Sequence, residues 1–313
     1  MKNKIHLLIV VFSMILSVQS YSQTSLKKQV DSLFVIASSG ELKYRDLVEP
    51  TIEELAGLGK EIVPILVDKL DTKSARERLT LNNIFKKIGS NAVPYLITSL
   101  KNPNGLIVER VCGALGDIKD SLAVEPLIAV SRHNRWQVRD QATGAFGDIG
   151  DTKADDAVLF AFTDEIGQVR KAAAVSSGQL KIIESVPLLI HQLGDDFYGA
   201  RMSAFEALIK LDTSFVIEKV ADSIYSENKF VQSLCCSLLG QYKSDKAIDL
   251  LYHTFQHSES FLKLSASLAI IEADPENLCG YQNVIVNSAF DELSLLKIQS
   301  AIKATQIKNE SQR

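Results

Sequence analysis

Aromatic residues are scarce in this chain of 313 residues: they make up 7%, and there is a single tryptophan, Trp136. That scarcity argues against an aromatic-rich β-sandwich. Proline and glycine are few as well, 7 and 16 in number, which excludes collagen-like and low-complexity chains. Cations are not in excess: 34 Lys and Arg face 38 Asp and Glu, a net charge of −4. Without clustered positive charge there is no counterion-release drive toward nucleic acid, and none is expected as a partner. Cysteine is limited to Cys112, Cys235, Cys236 and Cys279. No Cys-x-x-Cys pair is present to serve a redox site, haem attachment or zinc knuckle. A Gly-x-Ser-x-Gly elbow, a phosphate-binding glycine loop and a His-Glu-x-x-His helix are also missing. The expectation is a binding module with no cofactor and no catalytic residue.

The first residues read as an address. Lys2 and Lys4 precede an apolar stretch from Leu7 to Leu16 broken only by Ser13, and Ser20 and Ser22 offer small residues before Gln23. This is the pattern of a secretory signal peptide over residues 1–22, with an uncleaved anchor as the alternative. No cysteine stands at the cleavage point, so lipid attachment there is not expected. Removing the segment leaves the chain two charges more acidic. The mature protein is expected to be periplasmic or secreted, with no stable membrane insertion. Export permits disulfides. A Cys236–Cys279 bond is conceivable, but small buried apolar residues are the simpler reading of all four cysteines.

The strongest signal is internal repetition. Ile107, Val138, Val169, Ala200, Val231 and Leu262 are spaced by 31 residues. Four positions on come Val111, Ala142, Ala173, Ala204, Cys235 and Ala266, and eight positions on Leu115, Phe146, Ser177, Leu208, Leu239 and Ile270. An apolar stripe at i, i+4 and i+8 is one face of a helix, and its small middle position lets another helix approach. A second stripe follows in each unit, Val93, Val124, Val186, Ile217 and Ile248, with Leu96, Leu127, Leu189, Val220 and Leu251 three positions later. Pro64, Pro94 and Pro187 fall at the start of that second helix, where the missing N–H costs little. Gly116, Gly147 and Gly240 mark where the first helix is expected to stop. Each unit is thus a helix–turn–helix hairpin, and a lone hairpin buries too little surface to stand alone. The fold expected is an all-α solenoid: an N-terminal capping helix and linker over 23–44, about eight repeats over 45–292, and a C-terminal capping helix with a polar tail over 293–313.

These columns resemble HEAT repeats, above all the short bacterial form and the phycobilin-lyase-like group. The pattern is best kept in Val138-Arg139, Ala142 and Phe146-Gly147-Asp148-Ile149-Gly150-Asp151, and in Asp164, Val169-Arg170 and Ala173. The resemblance implies a right-handed superhelical array whose second helices line a concave face. It also implies that Arg139, Arg170 and Arg201 form a hydrogen-bond ladder between repeats. A column of Asn102, His133, Asp164, Asp195, Ser226 and His257 can accept bonds from backbone N–H groups at helix starts. Arg132, His133, Arg135 and Arg139 form a basic cluster, with Asp140 and Asp148 close in sequence.

Register places Thr98, Ala129, Phe160, His191, Asp222 and His253 at one point of successive second helices. Phe160, His191, Asp222 and His253 are the candidate binding residues, and Trp136, at a repeat edge, is the alternative. His253 and His257 have the i, i+4 spacing that can hold a metal, but no third ligand is placed by sequence and none is expected. The function expected is an exported, monomeric, non-catalytic scaffold that grips a protein or peptide of the cell envelope on its concave face. The alternative is a lyase-like protein that binds a small ligand or chromophore.

Overall fold

The computed structural model describes residues 24–211, 213–273, 285–286, 288 and 291–311. The signal-peptide segment and Cys279 lie outside them. Among the described residues there is no strand, and no helix is long and apolar enough to cross a membrane. The chain falls into two compact units, residues 1–154 and 155–313.

In the first unit a helix over residues 24–37 (α1) leads into α2 (Val48–Gly57) and the short α3 (Val63–Val67). Longer and shorter helices then alternate as α4 (Ala75–Ile88), α5 (Val93–Ser99), α6 (Gly105–Ile118), α7 (Val124–Val130) and α8 (Trp136–Ile149). The second unit continues with α9 (Asp155–Ala161), α10 (Gly167–Leu180), α11 (Val186–Gln192), α12 (Tyr198–Lys210) and α13 (Thr213–Ser223). It closes with α14 (Lys229–Tyr242), α15 (Asp245–His257), α16 (Ser260–Ala273) and α17 (Glu292–Ser311).

The stripes are the core. Val111, Ala142, Ala173, Ala204, Cys235 and Ala266 are all fully buried, flanked by buried residues four positions to either side. Val93, Val124, Val186 and Ile217 are buried in the second helices, whereas Ile248 is only half-buried because α15 turns Ala247 inward instead. Pro64, Pro94 and Pro187 occupy the first turn of α3, α5 and α11, where no intrahelical partner is lost.

The glycines expected to end the first helices do not end them. Gly116, Gly147 and Gly240 lie inside α6, α8 and α14 and are buried. The helices run three residues further, to left-handed residues Lys119, Gly150 and Lys243, with Lys181 in the same role after α10. The glycines serve close packing instead. A Cβ on Gly116 would stand 3.0 Å from Cα and Cβ of Ala145, one on Gly178 would stand 3.1 Å from the same atoms of Ala207, and one on Gly240 would stand 3.1 Å from the carbonyl oxygen of Ala269. First helices therefore press backbone to backbone at these points, α6 on α8, α10 on α12 and α14 on α16.

Candidate functional site

Thr98, Ala129, Phe160, His191, Asp222 and His253 stand on the last turn of α5, α7, α9, α11, α13 and α15, and every one is exposed. In the second unit, His191 and Asp222 line one groove of about 620 Å³ together with Ile190, Tyr225, Ser226 and Asn228. His191 and Asp222 make no ion pair with each other. Tyr225 carries the groove toward the next helix, because its hydroxyl lies 3.3 Å from Nδ1 of His253. Phe160 is 53% exposed and stands outside that lining. A smaller hollow of about 260 Å³ beside His191 uses Phe162, Leu188, Gln192, Asp195 and Asp196.

The histidine pair is spent locally. The rings of His253 and His257 stack with centroids 4.2 Å apart, and Nδ1 of His257 lies 2.9 Å from the carbonyl of His253. Among the described residues no three His, Cys, Asp or Glu side chains gather into a metal-binding set.

The turn before each first helix is built by the polar column. Asn102, His133, Asp164, Asp195 and Ser226 each accept a hydrogen bond from the backbone N–H two residues on. The N–H they take belongs to the cap residue, one step ahead of the helix itself, so the motif is a side-chain-closed turn rather than a helix cap. Arginine then closes the other side. Nη1 of Arg139 donates to the carbonyls of His133 and Asn134, that of Arg170 to Asp164 and Glu165, and that of Arg201 to Asp195 and Asp196. One repeat later, Gln232 donates to the carbonyl of Ser226.

Arg170 also reaches into the next repeat. Its Nε and Nη2 clasp the Asp195 carboxylate at 2.6 and 2.8 Å, and Nη2 meets Asp196 at 2.9 Å. Both partners are sheltered, the Asp195 side chain 7% exposed and that of Arg170 17%. Partial burial pushes the Asp195 carboxyl up, but the bonds from Arg170 and from the Phe197 N–H outweigh it and hold the group below its ordinary value. The basic cluster is likewise built into the fold: Arg135 pairs with Glu109 at 3.0 Å, and His133 accepts from the Arg135 N–H.

The family model for HEAT repeats matches residues 124–209. That segment is similar to HEAT repeats. Solved structures similar to it include the Escherichia coli protein YibA, 17% identical with a TM-score of 0.50, over 85% of this chain and 98% of that one. Kap95p in its complex with RanGDP is 14% identical with a TM-score of 0.52, over 92% of this chain and 48% of its own. An importin beta structure is 13% identical with a TM-score of 0.51, over 86% of this chain, which spans 48% of that one. At these identities the likeness is one of fold. No curated protein matches the chain.

Trp136, the alternative singled out from sequence, is half-buried at the first residue of α8, and more exposed aromatics stand in later repeats. Tyr198, two repeats after Trp136 in the same column, is 67% exposed, and Phe230 is 57% exposed. The Arg201 guanidinium stacks between them, its carbon 5.5 Å from the Tyr198 centroid and 4.5 Å from that of Phe230. Sequence reasoning placed Arg201 in the ladder but did not join it to Tyr198 and Phe230, although the column carried a signal: Ser226 stands where Asp195 and Asp164 stand in the two preceding repeats. Cys112, Cys235 and Cys236 are buried free thiols, and burial pushes Cys112 and Cys235 up to about 12 and Cys236 upward as well.

Proposed function

We propose that this HEAT-repeat protein is an exported, non-catalytic scaffold that takes a segment of another protein along the exposed ends of its second helices. The observation that carries the reading is the open groove between the ends of α11 and α13, where His191 and Asp222 face solvent with Tyr225 and Ser226. Arg139, Asp164, Arg170 and Asp195 at the repeat turns are tied into the fold, whereas His191 and Asp222 present exposed polar groups one repeat apart. Thiolate chemistry is disfavoured by cysteines whose burial keeps them protonated at neutral pH. Kap95p, similar in fold, binds a protein, RanGDP. The arrangement of Lys2, Lys4, Leu7 to Leu16 and Ser20-Tyr21-Ser22 supports export, and the partner belongs to the cell envelope.

The test uses residues 23–313 as bait for chemical cross-linking in an envelope extract, with the variant His191→Ala, Asp222→Ala, His253→Ala alongside. A protein cross-linked by the native chain, mapped to α11 and α13, and lost from the variant is the expected result. Equal cross-linking by both chains removes the groove from the function. Light scattering on the same protein should return the mass of a monomer.

A further inference from the structure

We propose that Arg201 is an open rung of the inter-repeat ladder, and that it receives the carboxylate of an acidic partner segment. This deepens the scaffold reading, on which it rests, by naming the chemistry of the partner. The molecule contains its own precedent. Arg170 and Arg201 are one repeat apart and identically anchored, each through Nη1 to the two carbonyls of its own turn. Arg170 spends Nε and Nη2 on Asp195, with Asp196 beside it. At the equivalent place for Arg201 the residues are Ser226 and Glu227. The Ser226 hydroxyl is too short to reach across and serves the Asn228 N–H, as Asp195 serves that of Phe197. Glu227 is exposed and makes no ion pair. Among the described residues Arg201 has no carboxylate partner, so Nε and Nη2 remain unspent.

The fork is also preorganised. Two carbonyls fix one nitrogen, and the faces of Tyr198 and Phe230 flank the plane. Little rotamer freedom is left to lose on binding, and a planar guanidinium with two parallel donors matches a carboxylate bidentately. Lys229 lies over Phe261 at 5.6 Å and adds a second cation on the same edge of the unit. Ser226 and Asp195 both line the groove with His191 and Asp222, and the Asp195 carbonyl holds Nη1 of Arg201, so the rung adjoins the groove. The occupant that fits is an acidic stretch carrying an aromatic or aliphatic neighbour, in imitation of the Asp195-Asp196-Phe197 run that fills the rung before it.

The probe is a fluorescein-labelled peptide, Gly-Asp-Asp-Phe-Gly-Asp-Asp-Phe, titrated by anisotropy with residues 23–313. Its Asn counterpart and inorganic phosphate serve as competitors. The native chain should bind the Asp peptide at least about tenfold more tightly than the Asn peptide, the factor one charge-assisted hydrogen bond supplies. Phosphate should compete poorly. Ser226→Asp should close the rung from within, weakening the peptide by a similar factor while raising the melting temperature, which shows that the variant is folded. Arg201→Lys, which keeps the charge and loses the fork, should weaken it as well. No binding by the native chain, or equal affinity in Ser226→Asp, overturns the proposal, and full displacement by phosphate reduces it to a generic anion site. If the triple alanine variant loses its cross-linked partner while Ser226→Asp keeps it, the scaffold stands and the rung is rejected.

Discussion

Single side chains decide how one repeat is held to the next. Asp195 closes its own turn through the Phe197 N–H and holds Arg170 of the preceding repeat through both oxygens. Because its folded value lies below the unfolded one of about 3.9, the group contributes stability that is complete above that pH and lost as pH falls through the folded value. Asp195→Asn should therefore be less stable than the native chain at neutral pH. Its stability should also fall less steeply as pH drops from neutral to below about 4. Urea midpoints measured across that range, with parallel slopes for both chains as the refuting result, decide the point. Residue types at these positions were legible in the sequence, since the Arg and Asp columns recur every 31 residues. Which pairs close was not, because it depends on side-chain reach: Asp at 195 spans the gap to Arg170, and Ser at 226 does not span the one to Arg201.

Among elements, the contrast between two kinds of helical glycine separates packing from propensity. Gly144 in α8 has open space where its Cβ would be, whereas the Cβ of Gly178 in α10 would press on the backbone of Ala207 at 3.1 Å. Gly144→Ala should stabilise by about 0.5–1 kcal/mol, the entropic gain of alanine over glycine in a helix. Gly178→Leu should destabilise by about 1–3 kcal/mol, because a long side chain forces α10 and α12 apart. Thermal melts of the two variants should move in opposite directions, and a stabilised Gly178→Leu would refute the close contact. Glycine in these helices looked like a stop signal from sequence. Its use as a packing surface became visible only when the facing Ala145, Ala207 and Ala269 were in place, since a lone helix pattern does not say which residue lies opposite.

At the scale of the whole molecule, the proposed export can be read from the processed chain. If residues 1–22 direct export as proposed, the processed protein recovered from the envelope fraction begins at Gln23, and its intact mass gives the boundary directly; a chain retaining Met1 there would mean an uncleaved anchor instead. The 31-residue period determined the helical hairpins, their buried faces and the shared position of His191, Asp222 and His253, because in a solenoid each repeat packs only on its neighbours and local pattern is close to sufficient. Tertiary structure decided the rest. It set the division into two compact units while the period runs on unbroken from Val138 to Val169, the groove at Tyr225 and Ser226, and the stacking of Arg201 between two aromatic rings. Those features depend on distances between side chains of different repeats, and a sequence column records which residues share a position but not how far apart they stand.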